Sequence, residues 1–368
     1  MKCELQFEKF RQAIFLTERV ASKHATLPVL SCVLLDVKKT SATIRATNLD
    51  VGVEIEIPAK SDTEAVFAIP AHTISAFLGQ VGNKEQVVRL EMSGGNLLVT
   101  LSKSKGVIKT VPSDDFPAIP SVTDGKKSTL TSNVLAKGFK SVWYSAAVSN
   151  VKPELASIYV YKDADNVIFV ATDSFRLAEK KVQLPKGSNI EDMLIPFKNA
   201  IEIVKTLEAT GESVTITSNK NLVSFEGNGV RITSRIIDGV FPDYRQIIPK
   251  NFTTEAVLLK QDLISALKVS TVFSDAFNQL HMVVDPKKKL LEVETKNNDV
   301  GENKSEIDAA LTGEALEINF NGKYISDSFQ AIDADSVSMQ FNGRNRPLVI
   351  RPVSGDQSFL YLVMPMNR

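Results

Sequence analysis

The stretch VLLDVKKTSATIRATNLD, Val33 to Asp50, aligns without gaps on IYVYKDADNVIFVATDSF, Ile158 to Phe175, at a shift of 125 residues. Within it, Ala46-Thr47 falls on Ala171-Thr172. Further landmarks recur in the same order: Asn96-Leu97 with Asn221-Leu222, and Phe116-Pro117 with Phe241-Pro242. The chain therefore contains two copies of one unit.

A third and fainter copy follows at a slightly shorter shift. It includes MVVDPKKKLLEVETKNND from Met282, and INFNGKYISDSF from Ile318, which matches IPFKNAIEIVKT from Ile195. The period is far longer than the roughly 20 to 50 residues of solenoid repeats, so each copy is a domain rather than a stacking element. We predict three domains, at residues 1–120, 128–247 and 253–368.

Each copy reads as strand, helix, strands, helix, strands. Val53, Ile55 and Ile57 alternate with glutamates, which is the period of a strand with one buried face. Residues 132–148 have a helical period, with Leu135, Phe139, Val142, Trp143 and Ala146 on one side and Lys137, Lys140, Tyr144 and Val148 on the other. Hairpin turns are predicted at Ser93-Gly94-Gly95-Asn96, Asn228-Gly229 and Asn342-Gly343. The fold class is α+β: three tandem copies of a domain with antiparallel sheets and two helices.

The composition bears on nucleic-acid binding and on the location of the protein in the cell. The 368 residues carry 43 Lys plus Arg and 43 Asp plus Glu, so any contact with nucleic acid requires segregated charge rather than a basic total. Cys3 and Cys32 lack paired or CxxC spacing, as in a reduced cytosolic protein. We expect a cytoplasmic protein, because no apolar run approaches the roughly 18 residues of a membrane span and the start MKCELQFEKF does not resemble a signal peptide.

Motifs for catalysis are missing from the sequence. His24, His72 and His281 are far apart and have no metal-ligand spacing. Dinucleotide and P-loop phosphate motifs and a GxSxG nucleophile signature do not occur. The carboxylate pairs Asp114-Asp115 and Asp333 with Asp335 are expected in solvated loops. We therefore expect no catalytic residue, metal or cofactor.

Several strings, in order along the whole chain, resemble the bacterial sliding clamp, the beta subunit of the replicative DNA polymerase. They are TLPVL (Thr26 to Leu30), ATNLDVGVEI (Ala46 to Ile55), ATDSFRLAEKKV (Ala171 to Val182), DGVFPDYRQIIPK (Asp238 to Lys250) and YLVMPMNR (Tyr361 to Arg368). The resemblance implies a non-catalytic processivity factor. It also implies a homodimer in which two chains join head to tail into a ring of six similar domains, with helices lining the hole. Domains of this size have a radius of gyration of about 13 Å, so six in a circle leave room for a DNA duplex.

The resemblance implies that cations on the inner helices and adjacent loops face the encircled duplex, whose phosphates attract them regardless of sequence. The helix with Lys137 and Lys140 supports this most, because residues 131–150 contain no acidic side chain. Lys152 and His24 stand where the family carries other residue types, which makes direct DNA contact there less expected. The DNA-facing set is Arg11, Arg19, Lys23, His24, Lys137, Lys140, Lys152, Lys198 and Lys205.

The resemblance also implies one apolar pocket that accepts short peptides from the polymerase, the clamp loader and repair proteins. Methionine and branched aliphatic side chains make an adaptable surface, while Arg176 and Thr172 could hold polar atoms of the peptide. Leu177, Ile247 and Val363 have an alternative reading as strand core. The pocket set is Leu155, Thr172, Ser174, Arg176, Leu177, Pro242, Ile247, Val363, Met364, Pro365 and Met366.

For the ring joint, the resemblance implies pairing between an edge strand of the first domain, Lys103 to Lys109, and the third domain of the other chain. Acidic residues there would match the lysines, and apolar residues would supply most of the cohesion. The joint set is Lys103, Lys105, Ile108, Val272, Phe273, Glu302 and Glu306. Two alternatives for the whole chain are an enzyme on an unfamiliar α+β scaffold and a three-domain structural or adhesion protein.

Overall fold

The computed structural model describes residues 1–21, 27–82, 85–185 and 190–366. The first copy contains β1 (Lys2–Gln6), α1 (Phe7–Glu18), β2 (Cys32–Val37), β3 (Ser41–Thr47), β4 (Val51–Ser61), β5 (Ala65–Pro70), α2 (Ala71–Gly79), β6 (Val87–Ser93), β7 (Asn96–Thr100) and β8 (Lys105–Lys109). The second contains β9 (Lys126–Thr131), α3 (Ser132–Val142), β10 (Ser157–Asp163), β11 (Asn166–Thr172), β12 (Arg176–Gln183), β13 (Met193–Pro196), α4 (Phe197–Leu207), β14 (Ser213–Ser218), β15 (Leu222–Gly227) and β16 (Val230–Arg235). The third contains β17 (Thr254–Leu259), α5 (Lys260–Val272), β18 (Gln279–Asp285), β19 (Leu290–Asn297), β20 (Gly301–Glu306), β21 (Ala309–Gly313), β22 (Leu316–Asn321), α6 (Gly322–Ser328), β23 (Ser336–Phe341), β24 (Leu348–Pro352) and β25 (Phe359–Val363).

The order of elements is the same in all three copies, except that β21 is added in the third. The predicted α+β class and the threefold repeat are confirmed. None of the helices in the described ranges is both long and apolar enough to span a membrane.

The turn after the third strand shows how closely the first two copies agree. Thr47 Oγ1 donates a hydrogen bond to the carbonyl oxygen of Val51 at 2.9 Å. Thr172 Oγ1 donates to the carbonyl oxygen of Arg176 at 2.7 Å. The residue two positions after each threonine has a positive φ, 77° in one copy and 78° in the other. The gapless alignment therefore preserves a turn down to its side-chain hydrogen bonds.

The chain divides into two compact units. Unit 1 comprises Met1–Ala136, Gly187–Glu191 and Lys198–Asp238, and unit 2 comprises Lys137–Lys186, Asp192–Phe197 and Gly239–Arg368. In the described part of unit 1, one sheet follows the order β8-β7-β6-β1-β4-β16-β15-β14-β9, and β2, β3 and β5 extend it beside β4. In unit 2, one sheet follows β13-β10-β11-β12-β25-β24-β23-β17-β21 and another follows β20-β19-β18-β22.

These units do not follow the repeat boundaries, because strands of neighbouring copies pair. The fourth strand of copy one, β4, pairs antiparallel with the last strand of copy two, β16. The fourth strand of copy two, β12, pairs antiparallel with the last strand of copy three, β25. We call each such pairing of a fourth strand with the last strand of the next copy a junction. Copy two is thus divided between the two units.

Helix α3 differs from the predicted helix over 132–148. It ends at Val142, and Trp143–Ser145 continue as a 3₁₀ turn. Leu135, Phe139, Val142 and Ala146 are buried as expected, but Trp143 is only partly buried. The ring of Tyr144, predicted on the solvent side, places its hydroxyl in a buried position. The tighter 3₁₀ turn rotates these side chains away from the helical period.

The glycine turns are where the sequence predicts them. Gly94 and Gly95, with φ of 56° and 77°, join β6 to β7, and Asn228-Gly229, with φ of 50° and 73°, join β15 to β16. These positive angles belong to two-residue hairpin turns. Gly343 also has a positive φ, but it lies in the longer loop between β23 and β24.

Candidate partner-binding, DNA-facing and joint surfaces

The turn between β11 and β12 forms the rigid centre of the predicted peptide pocket. Asp173 Oδ1 accepts hydrogen bonds from the backbone N–H groups of Phe175 and Arg176 at 2.9 and 3.0 Å. The Thr172 hydroxyl accepts the N–H of Ser174 at 3.1 Å. Short polar side chains favour such turns because they bond to backbone groups nearby. Ser174 and Phe175 are therefore displayed on a fixed, exposed turn.

Arg176 is turned inward. Its side chain donates from Nε to Asp173 at 2.9 Å and from Nη1 to Asp327 of α6 at 2.6 Å. Its guanidinium carbon lies 4.3 Å from the centre of the Tyr324 ring. Because Arg176 is 9% exposed and binds two carboxylates, it holds the turn against α6, and its role toward a peptide stays a prediction.

Thr172, Leu177 and Val363 are also interior residues. The Thr172 hydroxyl donates one hydrogen bond and accepts another within its own turn, so its bond to a peptide stays a prediction. Leu177 and Val363 belong to the β12–β25 junction, and both side chains are fully buried. For these two residues the alternative reading as strand core is confirmed.

The segment Met364–Met366 follows β25 and is partly exposed. Its backbone is fixed, because Met364 N–H donates to the carbonyl of Phe175 at 2.8 Å and Met366 N–H donates to that of Asn319 at 2.8 Å. Met364 is thus held beside the β11–β12 turn, and Met366 is held beside β22. An apolar surface that is rigid in backbone and adaptable in side chain suits binding of short peptides.

The other predicted pocket residues have mixed environments. Leu155 is buried, whereas Pro242 and Ile247 are exposed. Ile247 ends a short 3₁₀ helix whose Tyr244 hydroxyl donates to Glu179 of β12. Sequence reasoning missed two exposed apolar side chains, Phe175 at 63% and Val240 at 87%. Phe175 stands inside the quoted ATDSFR motif, but its exposure depends on the turn and could not be read from the string.

The predicted DNA-facing cations mostly have carboxylate neighbours. Arg11 bonds to Glu8 one helical turn before it at 2.7 Å. Lys137 bonds to Asp356 at 3.0 Å and Asp333 at 3.3 Å, and the hydrogen bond to Asp356 is the main cause that raises the pKa of Lys137. These pairs reduce the local positive charge that the sequence pattern predicts.

The rest of that set is divided as follows. Lys140, Lys152 and Lys198 are exposed. Arg19 and Lys205 both contact Glu202 of α4. Lys23 and His24 lie outside the described residues.

The predicted edge strand of the joint is β8, which starts at Lys105 and leaves Lys103 in the preceding exposed turn. Among the described strands, β8 ends the unit 1 sheet and pairs with β7. Of its two apolar side chains, that of Ile108 is 6% exposed inside unit 1, while that of Val107 is 67% exposed, so the place of Ile108 in the joint stays a prediction. Side chains alternate across a strand, so Lys105, Val107 and Lys109 share the outer face.

The predicted partner segment is also at a sheet edge. In the described part of unit 2, β20 ends its sheet and pairs with β19. Glu302, Lys304 and Glu306 alternate on its exposed face. Val272 is exposed, and Phe273 is partly buried with its ring beside Gly301. Two further exposed apolar residues, Phe277 and Val300, were missed because neither lies on a periodic face.

No group of three or more His, Cys, Asp or Glu side chains within the described ranges is arranged to hold a metal ion. His72 of α2 lies 3.1 Å from Glu18 of α1, and His281 of β18 lies 2.9 Å from Asn319 of β22. Asp114, Asp115, Asp333 and Asp335 are exposed, as expected for loop residues.

Comparison with known proteins gives consistent matches over the whole chain. Family models described as DNA polymerase III beta subunit match residues 1–120 for the N-terminal domain, 129–243 for the central domain and 245–367 for the C-terminal domain. A curated beta sliding clamp of Synechocystis sp. is 27% identical over 389 residues, covering 100% of this chain and 99% of the relative. That of Streptococcus pneumoniae is 26% identical over 366 residues, covering 97% of each. The crystal structure of the DNA polymerase III beta subunit from Thermotoga maritima matches with a TM-score of 0.92 at 26% identity, covering 100% of this chain and 99% of that one.

Proposed function

Because this chain belongs to the DNA polymerase III beta subunit family, the beta sliding clamps, we propose that its edge strands and terminal apolar segment are the surfaces by which it closes a ring and recruits partners. Its function is that of a DNA sliding clamp, a processivity factor that is not an enzyme. The three domains proposed at 1–120, 128–247 and 253–368 are supported by the repeated order of elements and by the separate family-model matches.

One observation supports the ring most strongly. Each junction inside the chain pairs the fourth strand of one copy with the last strand of the next. The fourth strand of copy three, β20, and the last strand of copy one, β8, form no junction with any described strand, and both lie at sheet edges of the described structure. A second chain supplies both missing partners. Two chains joined head to tail therefore repeat the same junction six times and close, as a symmetric dimer does.

Charge supports the same joint. The outer face of β8 presents Lys105, Val107 and Lys109, and the outer face of β20 presents Glu302, Lys304 and Glu306. In an antiparallel pair with Val107 opposite Lys304, Lys105 faces Glu306 and Lys109 faces Glu302. Opposite charges directly across a strand pair are favourable, and they specify which edges meet. The exposed Val272, at the end of α5, and Val300, directly before β20, provide apolar area near β20.

The ring encircles duplex DNA, so retention is topological and needs no sequence readout. The test is to load the protein onto nicked circular DNA with a bacterial clamp loader and then to linearise the circle. We expect long retention on the circle and rapid release after cutting, at the same ionic strength. Equal release from cut and intact circles would refute encirclement. A cytoplasmic location agrees with this role on the bacterial chromosome.

The partner site is proposed around the β11–β12 turn and Met364–Met366. We propose that Ser174, Phe175, Pro242, Ile247, Met364, Pro365 and Met366 form its accessible surface, supported by Leu155, Thr172, Arg176, Leu177 and Val363 beneath. The occupants are short peptide motifs of the replicative polymerase, the clamp loader and repair proteins. Support comes from exposed aromatic and methionine side chains on a backbone that hydrogen bonds hold fixed.

A further inference from the structure

A mixed-charge cluster lies where the end of α1 meets α4 within unit 1. Arg19, directly after α1, donates from Nε to Glu202 Oε2 at 3.0 Å and from Nη2 to Glu202 Oε1 at 3.2 Å. Lys205 Nζ lies 3.6 Å from the same Oε1. Lys198 precedes Glu202 by four residues and is exposed on the same face of α4. We call these four residues the Glu202 cluster.

The Glu202 cluster faces solvent. The side chains of Arg19, Lys205 and Glu202 are 40%, 38% and 21% exposed. The opposite face of α4 is buried through Ala200, Ile203, Val204 and Leu207. Arg19 and Lys205 contact the carboxylate and Lys198 lies one helical turn before it, so these four residues carry a net positive charge in spite of Glu202.

We propose that Glu202 is an internal counter-ion that occupies the position of a DNA phosphate among these cations and limits how firmly the inner surface holds the duplex. The proposal rests on the proposed function, a ring around DNA, and on the expectation that α1 and α4 line its hole, since Arg19 directly after α1 and Lys198 and Lys205 of α4 belong to the predicted DNA-facing set. A guanidinium fork binds a carboxylate and a phosphate with the same two-pronged geometry. When a phosphate approaches, it competes with Glu202 for Arg19.

The competition is balanced because the internal pair is weak. Ion pairs between exposed side chains contribute little to stability, so a phosphate can replace the carboxylate without cost to the fold. When the phosphate leaves, Glu202 returns to the fork and the arginine is satisfied again. Each contact between Arg19 and a phosphate is thereby exchanged for the contact between Arg19 and Glu202. This exchange favours sliding along the duplex over tight binding to it.

The experiment compares wild type with Glu202→Gln, which keeps the shape and removes the charge. Binding to a short fluorescent duplex is measured by anisotropy over a series of low salt concentrations. We expect Glu202→Gln to bind about threefold more tightly at low salt, in line with an exposed ionic contact. The slope of log affinity against log salt should steepen by about 0.9, as one more phosphate contact is made.

Three variants serve as controls. Glu64→Gln makes the same charge change at the exposed turn between β4 and β5 and should leave binding at the wild-type level. The double variant Arg19→Gln with Glu202→Gln should lose at least half of the gain, because the fork is missing. Glu202→Asp keeps a shorter carboxylate and should behave nearly as wild type, and thermal melting verifies that every variant is folded.

The inference is overturned if Glu202→Gln binds as wild type does, if Glu64→Gln gives an equal gain, or if the double variant keeps the whole gain. The retention of wild type on circular DNA is measured beside these. Loss of that retention refutes the ring, whereas an unchanged salt slope in Glu202→Gln refutes only the counter-ion, so the two failures are distinguishable.

Discussion

The ammonium group of Lys180 donates to Asp356 at 2.5 Å from a side chain that is only 2% exposed. Asp356 also accepts from Lys137 and from the backbone N–H of Ser358. A buried ammonium that loses its carboxylate is left charged in a low-dielectric interior, which is strongly unfavourable. This carboxylate therefore stabilises the packing of β12 in unit 2.

The first prediction is that Asp356→Asn lowers the free energy of unfolding by about 1 to 3 kcal/mol, a value reduced because Asp356 itself is partly exposed. Urea denaturation measures it. Asp333→Asn is the matched control, because Asp333 is far more exposed and should cost less than about 1 kcal/mol. Equal losses in the two variants would contradict the role of burial.

The same pair predicts a pH dependence. Burial raises the pKa of Asp356, but hydrogen bonds from Lys180, Ser358 and Lys137 outweigh it, so the net pKa lies below its usual value of 3.8. A depressed carboxyl pKa gives stability that is present above the unfolded pKa and is lost as pH falls from there toward the folded pKa. The difference between wild type and Asp356→Asn should therefore shrink below about pH 4. A constant difference down to pH 2 would oppose this assignment.

The partner site predicts that a peptide with a glutamine followed by aliphatic and aromatic residues binds near Met364. Met364→Ala and Phe175→Ala should each weaken the peptide by at least about fivefold, as for other anchors in desolvated sites. Isothermal titration measures the affinities. Val353→Ala, on the loop between β24 and β25, is the control and should bind as wild type does. Unchanged affinity in both anchor variants would place the peptide elsewhere.

The apolar part of the joint predicts that Val272→Ala with Phe273→Ala yields a folded monomer. Loss of two large apolar side chains near an interface removes much of its cohesion. Light scattering at micromolar concentration should show half the dimer mass, with circular dichroism unchanged. A double variant that stays dimeric would move the joint to another surface.

The charged part of the joint predicts that a charge reversal on one strand can be compensated by a charge reversal on the other. Lys105→Glu places two acids opposite each other in the proposed register and should weaken the dimer, while adding Glu306→Lys should restore most of it. Analytical ultracentrifugation of the single and double variants measures the dimer dissociation constants. If the second change fails to rescue the first, the proposed register is incorrect even where the edges do meet.

Packing predicts a sharp effect at Gly138 of α3. A methyl group there would lie 2.3 Å from Cε2 of Phe169, whose ring packs edge-on against Phe139 at 5.1 Å. Gly138→Ala should cost about 1 to 3 kcal/mol, because helix and strand must separate. Gly82→Ala is the control, since nothing lies within 4 Å of the added methyl group. Similar stability of both variants by thermal melting would contradict this packing.

The sequence was sufficient for the fold because the repeat is nearly gapless. Thr47 and Thr172 keep the same turn, and the alternation in β4 keeps its buried face. The division into two units was not visible, because the β4–β16 and β12–β25 pairings join strands of different copies. Local patterns carry no information on which edges will meet.

Site residues were less predictable for a related reason. The Arg176 side chain donates a hydrogen bond to Asp327, which is 151 positions away in the sequence, and no local pattern predicts that partner. Val107 and Ile108 are neighbours in β8, so their side chains point to opposite faces of the sheet. Which of the two faces outward depends on the register of β8 with β7. The charged surface of α3 is reduced by Asp356, from a distant loop. Residue type indicated the chemistry, whereas tertiary pairing decided which groups stay accessible.

The repeated junctions have a consequence for how the ring comes apart. Two of the three junctions contributed by each chain connect copies that share one backbone, so their edges stay at a high effective concentration and dilution does not weaken them. In the ring we propose, the third junction, between β8 and β20 of different chains, obeys mass action. Such a ring opens at the two junctions between chains, even though all six junctions pair the same two strands of the repeat. A protein that opens it needs to act only where no covalent bond links the two edges.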